Sequence, residues 1–192
     1  MGKTTVIAIS GVSGSGKTSL VERLAEKLDC PYLVFDDYID ADTYPKNMKL
    51  WLQRGCNVDE ITTPRFVAAL KHLKLHTKAP FIVIEEPFGQ CRSAMAQHTD
   101  YAILLDIPLE ICLARVISRN INSPYSDSLT AIPKYLSEYE DYLRGVYSNV
   151  LEQTRDSCDL RINSVMPKQA LADFVLQELV VNCSFKHIDP PL

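Results

Sequence analysis

The sequence predicts an α/β protein, a parallel sheet of five strands covered by helices on both faces. Three observations carry that prediction. Four short continuous apolar runs, at residues 6–9, 32–35, 81–84 and 102–105, suit strands buried on both sides. Between them lie longer segments whose apolar residues recur every three or four positions, and this alternation of strand with helix is what a parallel sheet requires. The third is Gly11-Val12-Ser13-Gly14-Ser15-Gly16-Lys17-Thr18, a glycine-rich turn between the first strand and the first helix. It fills every fixed position of G-x-x-x-x-G-K-[ST], a loop whose backbone N–H groups cradle phosphates.

Each element follows from its residues. Val6-Ile7-Ala8-Ile9 delivers the chain to the loop, whose three glycines, of seven in the chain, let the backbone close round an anion. The helix behind adds the positive end of its dipole. In this reading Gly11, Ser13, Gly14, Ser15, Gly16, Lys17, Thr18 and Ser19 hold a nucleotide's phosphates, Lys17 reaching the β/γ-phosphates and Thr18 offering its hydroxyl to Mg2+. The helix over 18–28 sets Leu20, Val21, Leu24 and Leu28 against Glu22, Arg23, Glu26 and Lys27 on the wet face, and Pro31 forbids its continuation. A second strand at 32–35 finishes in Asp36-Asp37. Residues 38–60 are irregular and aromatic-rich, with Tyr38, Tyr44 and Trp51, a short helix over 45–54 and a break at Gly55.

Pro64 opens the next helix, with Phe66, Val67, Leu70 and Leu73 inward. The strand at 81–84 runs into Glu85-Glu86 and is stopped by Pro87; the strand at 102–106 ends in Asp106. Pro108 then starts a helix with Leu109, Cys112, Leu113, Val116 and Ile117 inward and Arg115 and Arg119 sharing a side. Residues 121–132 are polar and turn-prone and read as a mobile connection. From Pro133 to about 154 a long helix carries a stripe of Tyr135, Tyr139, Tyr142 and Tyr147, read as core packing rather than a stacking surface. A last strand at 160–165 and a last helix at 167–181 complete the pattern, and the tail from 182 to 192 has none.

Composition excludes several classes. A chain of 192 residues is most simply one domain. Cys30, Cys56, Cys91, Cys112, Cys158 and Cys183 are scattered without a C-x-x-C pair, so reduced thiols in a cytoplasmic protein are expected, with neither zinc nor structural disulfides. No stretch reaches the roughly eighteen apolar residues of a spanning helix, so no membrane association is expected. A net charge of -4 with no basic block argues against a nucleic-acid polymer as partner. His72 and His76 stand four apart but lack the glutamate and third ligand of a metal-binding helix, and read as an exposed pair.

In open parallel sheets ligands bind beyond the carboxyl ends of the strands, and the loop, Asp36-Asp37, Glu85-Glu86 and Asp106 all fall on that rim. Beside a nucleoside triphosphate, a carboxylate either helps hold Mg2+ or takes a proton from an attacking hydroxyl. Asp36 and Glu86 are the candidates, with Thr18 as the third metal-side group. Arg115 and Arg119 would supply cations over the migrating phosphoryl group, so the catalytic set is Asp36, Lys17, Arg115 and Arg119.

Residues 7–18, together with Phe35-Asp36-Asp37-Tyr38, resemble the uridine kinase and nicotinamide riboside kinase group of phosphate-loop kinases. Ile84-Glu85-Glu86-Pro87-Phe88 is similar to that group's strand ending in a glutamate, and Leu105-Asp106-Ile107-Pro108-Leu109-Glu110 with Arg115 and Arg119 to its approach to an arginine-bearing lid. The resemblance implies a single domain of the three-layer P-loop nucleoside triphosphate hydrolase fold, with a lid at about 119–132 and an acceptor-binding insert at about 38–65. It implies ATP with Mg2+ as donor and a hydroxyl of a small metabolite, in first place a nucleoside or riboside, as acceptor. By position it makes Asp36 the catalytic base, Glu86 the glutamate near the metal, and Arg115 and Arg119 the lid cations.

Two features depart from the group. Pro87 stands where a glycine is usual, and no arginine follows Arg119 before Arg144. Which of Glu85 and Glu86 is the metal-side acid stays open, as does the choice between monomer and homodimer. A nucleotide monophosphate, sugar or shikimate-like acid as acceptor would keep the same fold, and a non-catalytic ATP-binding regulator would keep the loop. The absence of an Asn-Lys-x-Asp motif disfavours a GTP switch.

Overall fold

The computed structural model describes residues 3–124 and 126–182; the tail beyond them lies outside the described residues. Strands β1 (Thr5–Ser10), β2 (Tyr32–Leu33), β3 (Phe81–Glu85), β4 (Tyr101–Leu105) and β5 (Leu160–Ile162) form one sheet in the order β2-β3-β1-β4-β5, every neighbouring pair parallel. The helices are α1 (Lys17–Leu28), α2 (Met48–Gln53), α3 (Pro64–His76), α4 (Ser93–Ala96), α5 (Leu109–Ile121), α6 (Ser126–Glu138), α7 (Arg144–Arg155) and α8 (Lys168–Asn182). From β1 the chain moves outward to β2 and β3 on one side, then crosses to β4 and β5 on the other. The loop after β1 therefore opens at the point where strand order reverses, the place such sheets bind ligands.

Both faces of the three central strands β3, β1 and β4 are dry, as their continuous apolar runs require. Ile7 and Ile9 of β1, with Phe81 and Val83 of β3, pack against Leu20, Val21 and Leu24 of α1 and Val175 and Leu179 of α8. The alternate residues Val6, Ala8, Ile82 and Ile84 point the other way, onto Phe66 and Leu70 of α3 and Met95. Each such side chain, taken wholly out of water, contributes about 1.5–3 kcal/mol. A third cluster, of Phe35, Trp51, Cys56, Val58, Ile61, Phe88, Val146 and Val150, lies where the segment after β2 meets α7.

The structure corrects four boundaries, of which the simplest is that the last strand ends at Ile162 rather than at 165. The second strand stops at Leu33 rather than Phe35. Phe35–Tyr38 forms a 3-10 turn instead, because the wholly buried Phe35 ring packs edge-on between Phe66 and Phe88, at 5.9 and 6.0 Å. Part of the expected connection at 121–132 is helical: α6 contains Pro133 in its interior, at the cost of the bond Pro133 would have donated to the Leu129 carbonyl. The expected single helix to residue 154 is broken by a π-helical turn, Tyr139–Leu143, between α6 and α7. Among the described residues no helix is long and apolar enough to cross a membrane, and Cys30, Cys56, Cys91, Cys112 and Cys158 are free thiols.

Candidate active site

Gly11, Gly14 and Gly16 have φ of +135°, +83° and +108°, backbone open to glycine at little cost. A Cβ on Gly14 would stand 2.2 Å from the Cys112 carbonyl oxygen, whereas one on Gly16 would meet nothing within 4 Å. Lys17, the first residue of α1, donates to the Val12 carbonyl at 3.2 Å and lies 3.5 Å from the Glu85 carboxylate. Thr18 Oγ1 donates to the other Glu85 oxygen at 2.7 Å. Arg115, on α5, reaches back to the carbonyls of Gly14 and Ser15 at 3.3 and 3.1 Å and so braces the loop from outside.

A cavity of about 460 Å³ opens over this loop, walled by Ser13 to Leu20, Asp36, Glu85, Arg115, Arg119, Met166 and Lys168. A second, of about 430 Å³, is walled mainly by Tyr44, Met48, Trp51, Pro87, Phe88, Val146, Tyr147 and Val150. Ser13, Lys17 and Asp36 line both. Asp36 sits on the exposed side of the 3-10 turn whose other side is anchored by Phe35. Burial of its phenol, with the nearby Asp36 charge adding to it, pushes Tyr44 up to about 12.

The donor set fits a nucleotide and its metal. Ser15 Oγ is buried without a partner inside the loop, the state of a hydroxyl whose acceptor is the anion itself. Thr18 and Glu85 present the hard oxygen donors that Mg2+ takes, a few protein ligands beside substrate phosphates.

In structure the chain resembles shikimate kinase from Acinetobacter baumannii over 95% of its length and 96% of that chain, with a TM-score of 0.54 and 18% identity. A sugar kinase from Janibacter sp. matches over 94% and 97%, with a TM-score of 0.58 and 19% identity. The chain has the P-loop kinase fold. Its sequence is similar to uridine kinases: 23% identical to that of Schizosaccharomyces pombe over 91% of this chain, 24% to that of Proteus mirabilis over 81%, and 26% to that of Macrococcus caseolyticus over 84%. The chain spans 43% of the fission yeast relative and 85% and 89% of the two bacterial ones. No protein-family model matches it.

Within this P-loop kinase fold most of the residues expected from sequence come together: the loop from Gly11 to Ser19, Asp36, Arg115 and Arg119 all border one or both of the two cavities. Glu86 does not. Successive strand residues face opposite ways, so Glu85 shares the face of Phe81 and Val83 beneath α1 while Glu86 points to the opposite side. There Glu86, wholly buried, receives Arg92 Nε at 3.0 Å and Nη2 at 2.5 Å. Burial pushes its carboxyl up, against the pull of Arg92. Asp106 lines neither cavity; it is a structural acid held by Arg155 at 2.8 and 2.9 Å and Arg161 at 2.5 Å.

Of the tyrosine stripe, Tyr139 is buried and Tyr147 faces the second cavity, so the stripe serves both packing and pocket. Tyr44 and Trp51 line that cavity too, whereas Tyr38 packs edge-on to Phe66. His72 and His76 stack at 4.1 Å on α3. Arg92 and Lys168 are the residues that sequence reasoning missed, and neither sits in a motif that would have marked it.

Proposed function

We propose that the protein is an ATP-dependent phosphotransferase moving the γ-phosphate to a hydroxyl of a small metabolite, in first place a nucleoside or riboside. The observation that carries this reading is the shared wall: one exposed carboxylate, Asp36, and one lysine, Lys17, lie between a phosphate cradle and a second, aromatic cavity. Phosphoryl transfer asks for an acceptor hydroxyl held in line and a base within reach of its proton.

In this mechanism Asp36 takes the proton of the acceptor hydroxyl, while Lys17 and the backbone N–H groups of the loop hold the phosphates of the donor. Thr18 and Glu85 are the residues that would hold Mg2+, which when bound neutralises charge on the phosphates. Arg115 fixes the loop through Gly14 and Ser15, and Arg119 extends the positive side of the cavity. The aromatic walls from Tyr44, Trp51, Phe88 and Tyr147 suit a flat base. Lys17 is the one cation among the residues lining the second cavity, which disfavours a phosphate- or carboxylate-bearing acceptor. Similarity to uridine kinases supports the same choice.

The test is ADP formation by the purified protein with Mg-ATP and a panel of uridine, cytidine, nicotinamide riboside, uridine monophosphate, ribose and shikimate. Turnover that depends on a nucleoside or riboside is expected. Turnover only with the charged acceptors would move the assignment to the other kinases of this fold. ATP binding without acceptor-dependent ADP would make the protein a regulator.

A further inference from the structure

Arg92 lines neither cavity, yet its side chain is buried, with 1% of its surface exposed. Its nitrogens are all committed. Nε and Nη2 grip both oxygens of Glu86 at the end of β3, while Nη1 donates to the Ile61 carbonyl at 3.0 Å and the Thr63 hydroxyl at 2.9 Å. The guanidinium also lies 5.4 Å from the Phe35 ring centroid and 5.6 Å from that of Phe88. Phe35 precedes Asp36 and anchors its turn; Phe88 is a wall of the second cavity.

The foot of this post is tied to the phosphate loop. Glu86 N donates to the Ile9 carbonyl at 3.0 Å, and Gly11 N donates to the Pro87 carbonyl at 3.2 Å. One side chain thus joins the loop's base, the turn bearing Asp36, the closing end of the 38–65 segment and a wall of the second cavity. Apolar residues of similar volume would often fill such a space without loss of stability. What they would lack is the planar fork that fixes three segments at set distances.

We infer that Arg92, with Glu86 as its counter-charge, is a positioning residue for the acceptor half of the site, setting Asp36 and the second cavity's wall against the phosphate cradle. The inference rests on the phosphotransferase reading for its kinetic form. Its structural form can be read separately, because the chain's single tryptophan, Trp51, is itself a wall of that cavity, 2% exposed and packed with Phe35 and Phe88.

The experiment compares wild type, Arg92→Met, and the double variant Arg92→Met/Glu86→Leu, which removes the orphaned charge. Melting temperature, binding of a fluorescent mant-ATP, acrylamide quenching of Trp51, and kinetics with uridine are measured for each. Arg92→Met alone leaves a buried carboxylate unpaired and lowers the melting temperature sharply; should it fail to fold, the double variant carries the test. In the double variant the melting temperature returns towards wild type and mant-ATP affinity stays within about twofold. There Trp51 stays more open to quencher and uridine kcat/KM stays at least about tenfold down, since small misplacements cost that much.

Recovery of quenching and kcat/KM together with melting temperature would make Arg92 merely structural and overturn the inference. A fall in mant-ATP affinity matching the fall in kcat/KM would overturn it too, by placing the effect on the donor half. Wild type that turns over none of the panel defeats the phosphotransferase reading instead. Trp51 quenching then decides the positioning role alone: a wall still open in a restored double variant supports it, and a closed one refutes it.

Discussion

Replacing Glu85 with glutamine separates the two adjacent acids at the end of β3. The carboxylate accepts the Thr18 hydroxyl at 2.7 Å and stands 3.5 Å from Lys17, with 3% of its side chain exposed. A hydrogen bond to a charged group contributes about 1.5–3 kcal/mol and a neutral one about 1 kcal/mol, so the isosteric amide forfeits about 1–2 kcal/mol of interaction on the metal side. That corresponds to a factor of about 5–30. The assay is mant-ATP binding titrated against free Mg2+, which needs no acceptor. Glu85→Gln raises the half-saturating Mg2+ by that factor, whereas Glu86→Gln lowers the melting temperature and leaves the Mg2+ dependence in place. A Mg2+ requirement moved by Glu86→Gln and not by Glu85→Gln would refute the assignment.

Asp36→Asn keeps mant-ATP affinity within a few-fold but lowers kcat with the best acceptor by about 10²–10⁴, the usual range for a lost general base; unchanged turnover removes Asp36 from that role. Gly14→Ala forces a side chain onto φ of +83° and against the Cys112 carbonyl. The backbone strain alone is about 1–3 kcal/mol, so a lower melting temperature and loss of mant-ATP binding are expected, and wild-type affinity would contradict the cradle. Asp106 has burial raising its carboxyl pKa, but Arg155 and Arg161 outweigh it and hold the group below its ordinary 3.8. A carboxyl pKa depressed in the folded state means stability fully present above the unfolded value of 3.8 and lost as pH falls from there through the folded pKa. Asp106→Asn therefore lowers the melting temperature at pH 7, by a margin that shrinks as wild type is acidified below 3.8. A margin independent of pH would contradict the pairing.

The glycine loop was legible because its chemistry demands particular residue types at fixed spacing, and β1, β3 and β4 because burial on both faces leaves continuous apolar runs. The choice between Glu85 and Glu86 was not, since it turns on which sheet face α1 covers, a tertiary fact with no local mark. Arg92 was hidden for a similar reason: its partners Thr63 and Ile61 lie 29 and 31 positions away, and a lone arginine in a loop looks like any solvated one. Only the first half of α6, residues 126–132, escaped, because its polar, turn-prone residues read as loop and Pro133 read as the start of a helix rather than as a residue inside one. Tyr147 was placed correctly on a helical stripe, but periodicity cannot say that part of the stripe borders a cavity.

The π-helical turn at Tyr139–Leu143 holds one residue more than an α-helical path needs. It joins α6 to α7, whose Val146, Tyr147 and Val150 wall the second cavity, and Tyr135 on α6 reaches Tyr147 hydroxyl to hydroxyl at 3.4 Å. The surplus residue is absorbed within that one wide turn, so loss of a single codon there would restore ordinary winding and leave α6 and α7 showing the faces they show now. Chain length can thus change by one residue at the outer end of α7 without moving Val146, Tyr147 and Val150 off the cavity wall.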